Sequence, residues 1–157
     1  MLFHEQYNII STMKVEIINE VFKLDLYGFS GIVLNKNDLS TAFKLMDKMW
    51  DVVKAKNLKT KGLNIWVYES NEKVFAGVEL LDNPKQETSL EQKSLSLLKY
   101  AYYKHIGPYN LIKQKGQIMI DEIKKKGFEI DFPYIEIYGH WTNNERELET
   151  ELLMLIK

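Results

Sequence analysis

Residues 132–138, with the sequence FPYIEIY, combine residue types that are suited to holding a charged aromatic molecule. Side chains alternate between the two faces of a β-strand, so Tyr134, Glu136 and Tyr138 would share one face and the two intervening isoleucines the other. A carboxylate flanked by tyrosines suits a delocalised cation, because the rings stack on it while the carboxylate neutralises its charge. Desolvation by the rings would raise the pKa of Glu136 unless a bound cation compensates.

A second segment of the chain matches this strand at a fixed distance. Three pairs of residues superimpose under a shift of 70 positions: Tyr68 with Tyr138, Met49 with Met119, and Val53 with Ile123. Such matching indicates a duplicated unit. The equivalent strand would present Trp66 and Tyr68 on one face.

The aliphatic face of each strand is expected to pack under a helix, which leaves the aromatic residues on the face away from the helices. Two units that pair across a pseudo-twofold axis would bring Trp66 and Tyr68 against Tyr134, Glu136 and Tyr138, with a groove between the units. A simpler explanation is a sheet face that is open to water, where tyrosine and glutamate alternate because that face is polar. The pattern alone leaves both explanations open.

The surrounding sequence predicts an α+β protein built from two β-α-β-β units that form an antiparallel sheet with two main helices. In the first unit, residues about 14–81, a strand within 14–34 precedes a helix that ends near residue 57 and two strands at 63–69 and 74–80. In the second unit, residues about 92–157, a strand at 95–106 precedes a helix at 109–126 and two strands at 132–138 and 150–156.

Turn-forming and capping residues set the expected boundaries of these elements. Gly28 and Gly31 mark the bend or end of the first strand, and Gly127 marks the end of the second helix. The first helix has three N-cap candidates, Asn37, Asp38 and Ser40. Residues 81–92 are polar and turn-rich, and we expect them to connect the two units within a single domain that covers residues 1–157.

Composition narrows the classes of function. The 157 residues carry a formal net charge of -1, which provides no overall field for polyanions and disfavours nucleic acid as the main partner. With Cys at 0 there is no disulfide framework and no thiolate metal site, which suits a cytoplasmic protein. The chain starts without a signal sequence, and no stretch approaches the ~20 apolar residues that a membrane span needs.

The sequence shows no metal or cofactor site. His4, His105 and His140 are far apart, and no H-E-x-x-H or comparable metal spacing occurs. A general-base role for His105 is conceivable, but a structural or solvent-facing histidine is the favoured interpretation. We therefore expect no metal, no cofactor and no assigned catalytic residue.

Two stretches resemble the signatures of the GyrI-like family of effector-binding proteins. Residues 100–109, YAYYKHIGPY, are similar to its strand-to-helix signature of aromatic, basic and H-x-G-P-Y residues, and residues 132–138 are similar to its P-x-x-E-x-Y strand. The order of these motifs, the helix between them and the acidic start of the final strand agree with the family. The resemblance covers essentially the whole chain, by motif in residues 95–157 and by pattern in the first half.

This resemblance implies both a fold and a function. Members have duplicated β-α-β-β units whose cleft binds lipophilic, often cationic drugs, and the motif glutamate serves as the counter-charge. That role carries over to Glu136, with Tyr138 beside it, and the tyrosine of H-x-G-P-Y carries over to Tyr109. The chain resembles the stand-alone form of the effector-binding domain found in multidrug regulators.

Two further functions occur among proteins that the chain resembles. Some relatives hydrolyse cyclopropane-containing genotoxins, and Glu136 could activate water for such a reaction. Others modulate gyrase or interact with a regulator, which would require an exposed apolar or charged patch. The expected partner is a lipophilic aromatic cation, with no direct contact to nucleic acid or membrane, and a protein partner is not predicted.

The near-neutral charge generates a first prediction. We expect the purified protein to leave duplex DNA unshifted in a gel at physiological salt, because the ~14 residues before the first predicted strand are too few for a helix-turn-helix. A sequence-selective, salt-sensitive shift at submicromolar protein would contradict it.

Overall fold

The computed structural model describes residues 13–35 and 38–157, so the N-cap candidate Asn37 and His4 lie outside the described residues. The eight strands are β1 (Glu16–Ile18), β2 (Phe22–Ile32), β3 (Ile65–Tyr68), β4 (Lys73–Val78), β5 (Glu91–Leu97), β6 (Tyr100–Ile106), β7 (Ile130–Tyr138) and β8 (Glu149–Ile156). Two α-helices, α1 (Ser40–Ala55) and α2 (Ile112–Lys125), and two short 3-10 helices (Tyr109–Leu111 and Glu145–Glu147) complete the described elements.

All eight strands form one antiparallel sheet whose order shows the predicted pseudo-twofold symmetry. The order is β1-β6-β8-β7-β3-β4-β2-β5. When each strand is replaced by its counterpart in the other unit, the result is the same strand order read from the opposite edge of the sheet. The pseudo-twofold axis therefore lies between β3 and β7. The shift of 70 relates α1 to α2 and β3 to β7, whereas β8 follows a turn six residues longer than the turn before β4.

Each unit contains one more strand than the sequence predicted. The single strand expected at 95–106 is two strands, because Leu98 and Lys99 form a turn between β5 and β6. The first unit has the same arrangement in β1 and β2. In both units the first strand pairs with the second strand of the other unit, β1 with β6 and β5 with β2. This exchange ties the two units together.

The exchange also curls the sheet. β5 lies at one edge and β6 lies next to the opposite edge, yet only two residues separate them. The two ends of the sheet must therefore meet, and the face inside the curl forms a core that joins Leu24 of β2 and Leu97 of β5 to Ile65 and Ile135 of the central strands. Both helices lie on the other face of the sheet.

This curl overturns the predicted assignment of strand faces. Ile135 and Ile137 pack inside the curled sheet rather than under the helices, and the aromatic residues lie on the helix side. Alternation in a strand shows that its two faces differ, but it does not show which layer covers each face. Here the curl of the sheet covers the aliphatic face, so the aromatic face lies between the helices and not in open water.

Gly28 lies inside β2 and does not end it, which corrects a second expectation. A Cβ at Gly28 would come within 1.9 Å of the carbonyl oxygen of Ala76 on β4, so only glycine allows this close approach of the two strands. Gly31 is also within β2. Gly28 thus marks a backbone contact, whereas Gly31, one residue before the end of β2, lies close to α1, where a Cβ would meet the Leu45 side chain at 3.1 Å.

The helices form as the spacing of apolar residues predicts. Met49 and Val53 of α1 pack on Phe29 and Val78, and Met119 and Ile123 of α2 pack on β6 and β8. The N-cap of α1 is Leu39, which makes no side-chain capping bond, so the predicted N-cap candidates Asp38 and Ser40 do not hold that position. The Asp38 carboxylate accepts a hydrogen bond from the backbone N–H of Ser40, the first residue of α1, at 2.9 Å. Gly127 has φ +84 directly after α2, as expected for a helix stop. None of the helices within residues 13–35 and 38–157 is long and apolar enough to cross a membrane.

The equivalent core methionines generate a stability prediction. Met49 and Met119 are both fully buried, so Met49→Ala and Met119→Ala should each lower the free energy of unfolding by about 2–5 kcal/mol. Urea unfolding measures both values, with the exposed Gln114→Ala as the control that should stay within about 0.5 kcal/mol of wild type. A loss below about 1 kcal/mol at either methionine would contradict the packing described for that helix.

Candidate ligand-binding site

The pseudo-twofold axis brings the predicted site residues together at the centre of the sheet. β3 and β7 pair so that Trp66 lies opposite Glu136 and Tyr68 opposite Tyr134. Trp66 and Glu136 are also equivalent under the shift of 70, so the axis passes between them. The two helices flank these strands on the same face, which makes β3 and β7 the floor of a groove between α1 and α2.

Glu136 is buried, and tyrosine hydroxyls occupy both of its oxygens. Tyr134 donates to Oε2 at 2.7 Å and Tyr138 donates to Oε1 at 2.8 Å. The residue is only 6% exposed. The carboxylate is thus fixed in one orientation on the floor of the groove.

The electrostatic state of Glu136 follows from this burial. Desolvation raises the pKa of Glu136 above its ordinary value of 4.5, and hydrogen bonds from Tyr134, Tyr138 and, to a smaller extent, Tyr68 lower it only in part. Among the residues that the structure describes, the groups acting on this pKa are hydroxyls, and no cation contributes. The site therefore contains a carboxyl group that no described cation neutralises.

The tyrosines remain protonated donors. Burial raises the pKa of Tyr134 and Tyr138 well above 10, and the nearby Glu136 charge raises both further. Burial and the same carboxylate also raise the pKa of Tyr68. Each hydroxyl can therefore donate a hydrogen bond to Glu136 or to a ligand at any physiological pH.

The aromatic rings extend this group into one contiguous set. Tyr68 stacks on Tyr134 with ring centroids 5.6 Å apart, and Tyr138 meets Trp66 edge-on at 5.1 Å. Tyr109 meets Tyr138 at 5.5 Å and 88°. All six predicted site residues are in this set, which we call the Glu136 cluster: Trp66, Tyr68, Tyr109, Tyr134, Glu136 and Tyr138.

Sequence reasoning missed Phe43, which belongs beside this cluster. Its ring meets Trp66 at 5.1 Å and 88°. Phe43 shares the apolar spacing of α1, but its side chain is 48% exposed. Met46, which was also left out of the site, packs with Trp66 and Tyr68. Trp66 and Tyr68 lie on the side of the sheet that the helices cover, so residues of α1 also border the site.

The groove is closed by its own side chains in this structure. Trp66 is 3% exposed, whereas Phe43 and Tyr109 are half-exposed and lie outermost in the cluster. A ligand that reaches Glu136 must displace at least one of these outer rings. The indole N–H of Trp66 is buried and has no hydrogen-bond partner among the described residues, so it is available to an acceptor that enters the groove.

His105 has the structural role that the sequence favoured. It is almost fully buried, and its Nε2 lies 2.9 Å from the carbonyl oxygen of Pro108, to which it donates. The backbone N–H of Gly107 also bonds to the carbonyl of Leu148 at 2.8 Å. These two bonds hold the turn of the H-x-G-P-Y motif and thereby position Tyr109 against Tyr138.

Comparison with known proteins identifies the fold. No protein-family model and no curated protein matches the chain. Among solved structures, the C-terminal domain of EcmrR is similar with a TM-score of 0.75 and 16% identity, over 93% of this chain and 98% of that one. The structure of SAV2435 bound to tetraphenylphosphonium is similar with a TM-score of 0.63 and 17% identity, over 92% of this chain and 93% of that one. A hydrolase from Listeria innocua is similar with a TM-score of 0.57 and 12% identity, over 99% of this chain and 98% of that one. At these identities the similarity establishes the fold, which is the GyrI-like effector-binding fold expected from the sequence.

The raised pKa of Glu136 generates a prediction about stability. Below pH 4.5 the carboxyl is protonated in both the folded and the unfolded chain, so it carries no penalty. As the pH rises through the raised pKa of the folded state, the buried group must ionise and the folded protein loses stability. Glu136→Gln cannot ionise, so we expect its free energy of unfolding relative to wild type to rise between pH 4 and pH 8.

Urea unfolding at both pH values measures this difference. Glu145→Gln removes an exposed carboxylate and is the matched control, for which we expect no such gain. A Glu136→Gln protein that is clearly less stable than wild type at pH 8 would show instead that the carboxylate stabilises the fold.

Proposed function

We propose that this protein binds lipophilic aromatic cations in the groove between α1 and α2, with Glu136 as the counter-charge. The observation that carries the proposal is a buried carboxylate that is held by tyrosine hydroxyls, surrounded by rings, and not neutralised by any described cation. An ionised group in such a position costs the folded protein stability. Proteins retain such costly arrangements chiefly where a ligand uses them.

A cation in the groove would remove this cost. Its positive charge would lower the pKa of Glu136 toward the ordinary range and favour the ionised carboxylate. In a water-poor site this attraction is stronger than at an exposed surface. A neutral ligand of the same shape lacks this gain, so the site should discriminate by charge.

The rings supply the rest of the affinity. Tyr68 and Tyr134 stack on one another, and Trp66 and Tyr138 place two more aromatic rings next to the carboxylate. Flat or propeller-shaped aromatic cations fit such walls through cation–π and apolar contact, each ring contributing about 0.5–2 kcal/mol. Tyr109 would close over the ligand from the start of α2. Such contacts tolerate many aromatic shapes, which suits a protein that senses or sequesters several drugs.

Two of the similar structures support this proposal. SAV2435 was solved with tetraphenylphosphonium, a lipophilic cation, and the C-terminal domain of EcmrR belongs to a protein that is also known in a complex with DNA. The present chain shares their fold and carries a glutamate among aromatic rings. We propose the same class of ligand for it, in the cytoplasm, without direct contact to DNA.

Hydrolysis is a second candidate function. A raised pKa suits a carboxyl group that exchanges protons near neutral pH, and one similar structure is that of a hydrolase. Each oxygen of Glu136 accepts one tyrosine hydroxyl and keeps a second lone pair, but the carboxylate is only 6% exposed among aromatic rings, which limits the access of water. Binding therefore accounts for the geometry with fewer changes.

Ions of equal shape and opposite charge test the proposed counter-charge. We expect wild type to bind tetraphenylphosphonium more tightly than tetraphenylborate. Glu136→Gln should lower the affinity for the cation by about 10- to 100-fold, which corresponds to 1–3 kcal/mol for a desolvated charge contact. It should not lower the affinity for the anion. Isothermal titration calorimetry at pH 8 measures all four affinities.

The control for this experiment is Glu145→Gln, which makes the same change in net charge on the exposed surface. It should change neither affinity by more than twofold, because exposed charges are screened by salt. Equal weakening of both ions by Glu136→Gln would exclude Glu136 as the counter-charge.

A further inference from the structure

Gly116 is a buried glycine in the middle of α2, which is unusual for a helix. Glycine there costs about 1 kcal/mol of helix stability relative to alanine, so its presence calls for a packing reason. The structure offers none: its φ lies outside the left-handed range, and a Cβ would meet a single neighbour, the Tyr134 hydroxyl, at 3.9 Å. Alanine would fit without a clash.

Beside Gly116 there is therefore room for a methyl group, with the Tyr134 hydroxyl as its one neighbour within 4 Å among the described residues. Protein interiors are close-packed, so a buried methyl group normally has neighbouring atoms on all sides. This gap adjoins the Tyr134 hydroxyl, which in turn donates to Glu136 at 2.7 Å. The Tyr134 hydroxyl thus lies between this space and the Glu136 carboxylate.

The other half of the molecule has no such gap. Under the shift of 70, Met46 of α1 is the counterpart of Gly116, and it packs against the buried cluster that contains Trp66. The two halves thus differ at the same place on their helices, where one has a methionine side chain and the other has none. The half without a side chain there is the half that carries Glu136.

We propose that Gly116 determines the size of the ligand: the methyl-sized space beside it lets the edge of one ring of the bound aromatic cation approach Tyr134 and Glu136. This inference rests on the proposed cation binding and adds a location and a size limit to it. The ligand class it names is a cation with several aromatic rings, one of which lies against α2 next to Tyr134. A side chain at position 116 would occupy the space that this ring needs.

Two substitutions of graded size test the proposal. Gly116→Ala should raise the Tm by roughly 2–4 °C, because alanine favours the helix. The same variant should bind tetraphenylphosphonium about tenfold more weakly, because the methyl group crowds the ring. Gly116→Met, which copies Met46 of the other half, should weaken binding by more than a hundredfold. Higher stability together with lower affinity is a result that a merely structural glycine would not give.

Gln117→Met is the matched control, because it adds the same side chain one residue further along α2 at an exposed position. It should leave the affinity for tetraphenylphosphonium within twofold of wild type. If Gly116→Met fails to fold, the alanine variant alone decides the question.

Wild-type affinity in Gly116→Ala would overturn this inference. If Glu136→Gln still weakens the cation in that case, the proposed function stands and only the location of the ring is wrong. A wild-type protein that does not bind tetraphenylphosphonium would overturn the proposed function and this inference with it.

Discussion

The interaction on which the site depends is the pair of hydrogen bonds that holds the buried Glu136 carboxylate between Tyr134 and Tyr138. Burial raises the pKa of this group, and the hydroxyls offset the desolvation only in part. The fold therefore keeps a group that favours protonation when it is alone and ionisation when a cation is present. Under the proposed function, this coupling between proton and cation would give the groove selectivity for charge, since a neutral ligand leaves the cost of ionisation uncompensated.

The symmetry of the sheet explains why the carboxylate lies where it does. Because the pseudo-twofold axis passes between Trp66 and Glu136, a fully symmetric molecule would have two identical residues there. Two glutamates would repel one another, and two tryptophans would offer no charge. Divergence at this one pair gives a ring and an anion side by side. Divergence at Met46 and Gly116 puts a side chain on the half that carries Trp66 and none on the half that carries Glu136.

Much of this architecture could be predicted from the sequence, because the helices and central strands have clear periodicity and a repeat of 70 positions. The proximity of the six candidate residues was also predictable, since the pairing of equivalent strands brings Trp66 and Tyr68 to Glu136; their role in ligand binding stays a prediction. The face they occupy was predicted wrongly, because the curl that buries Ile135 depends on the exchange of β1 and β5, which leaves no local signal in the sequence. Phe43 and Gly116 were missed for the same reason: their roles appear only once the helices lie over the aromatic face.

The charge state of Glu136 is the most direct test of this account. Its carboxyl carbon can be titrated by NMR in protein labelled with ¹³C-glutamate, with the signal assigned by its loss in Glu136→Gln. We expect the pKa in the free protein to lie above the ordinary value of 4.5 and to fall when tetraphenylphosphonium is bound. A pKa that is the same with and without the bound cation would contradict the account, because the carboxylate would then not sense the ligand charge.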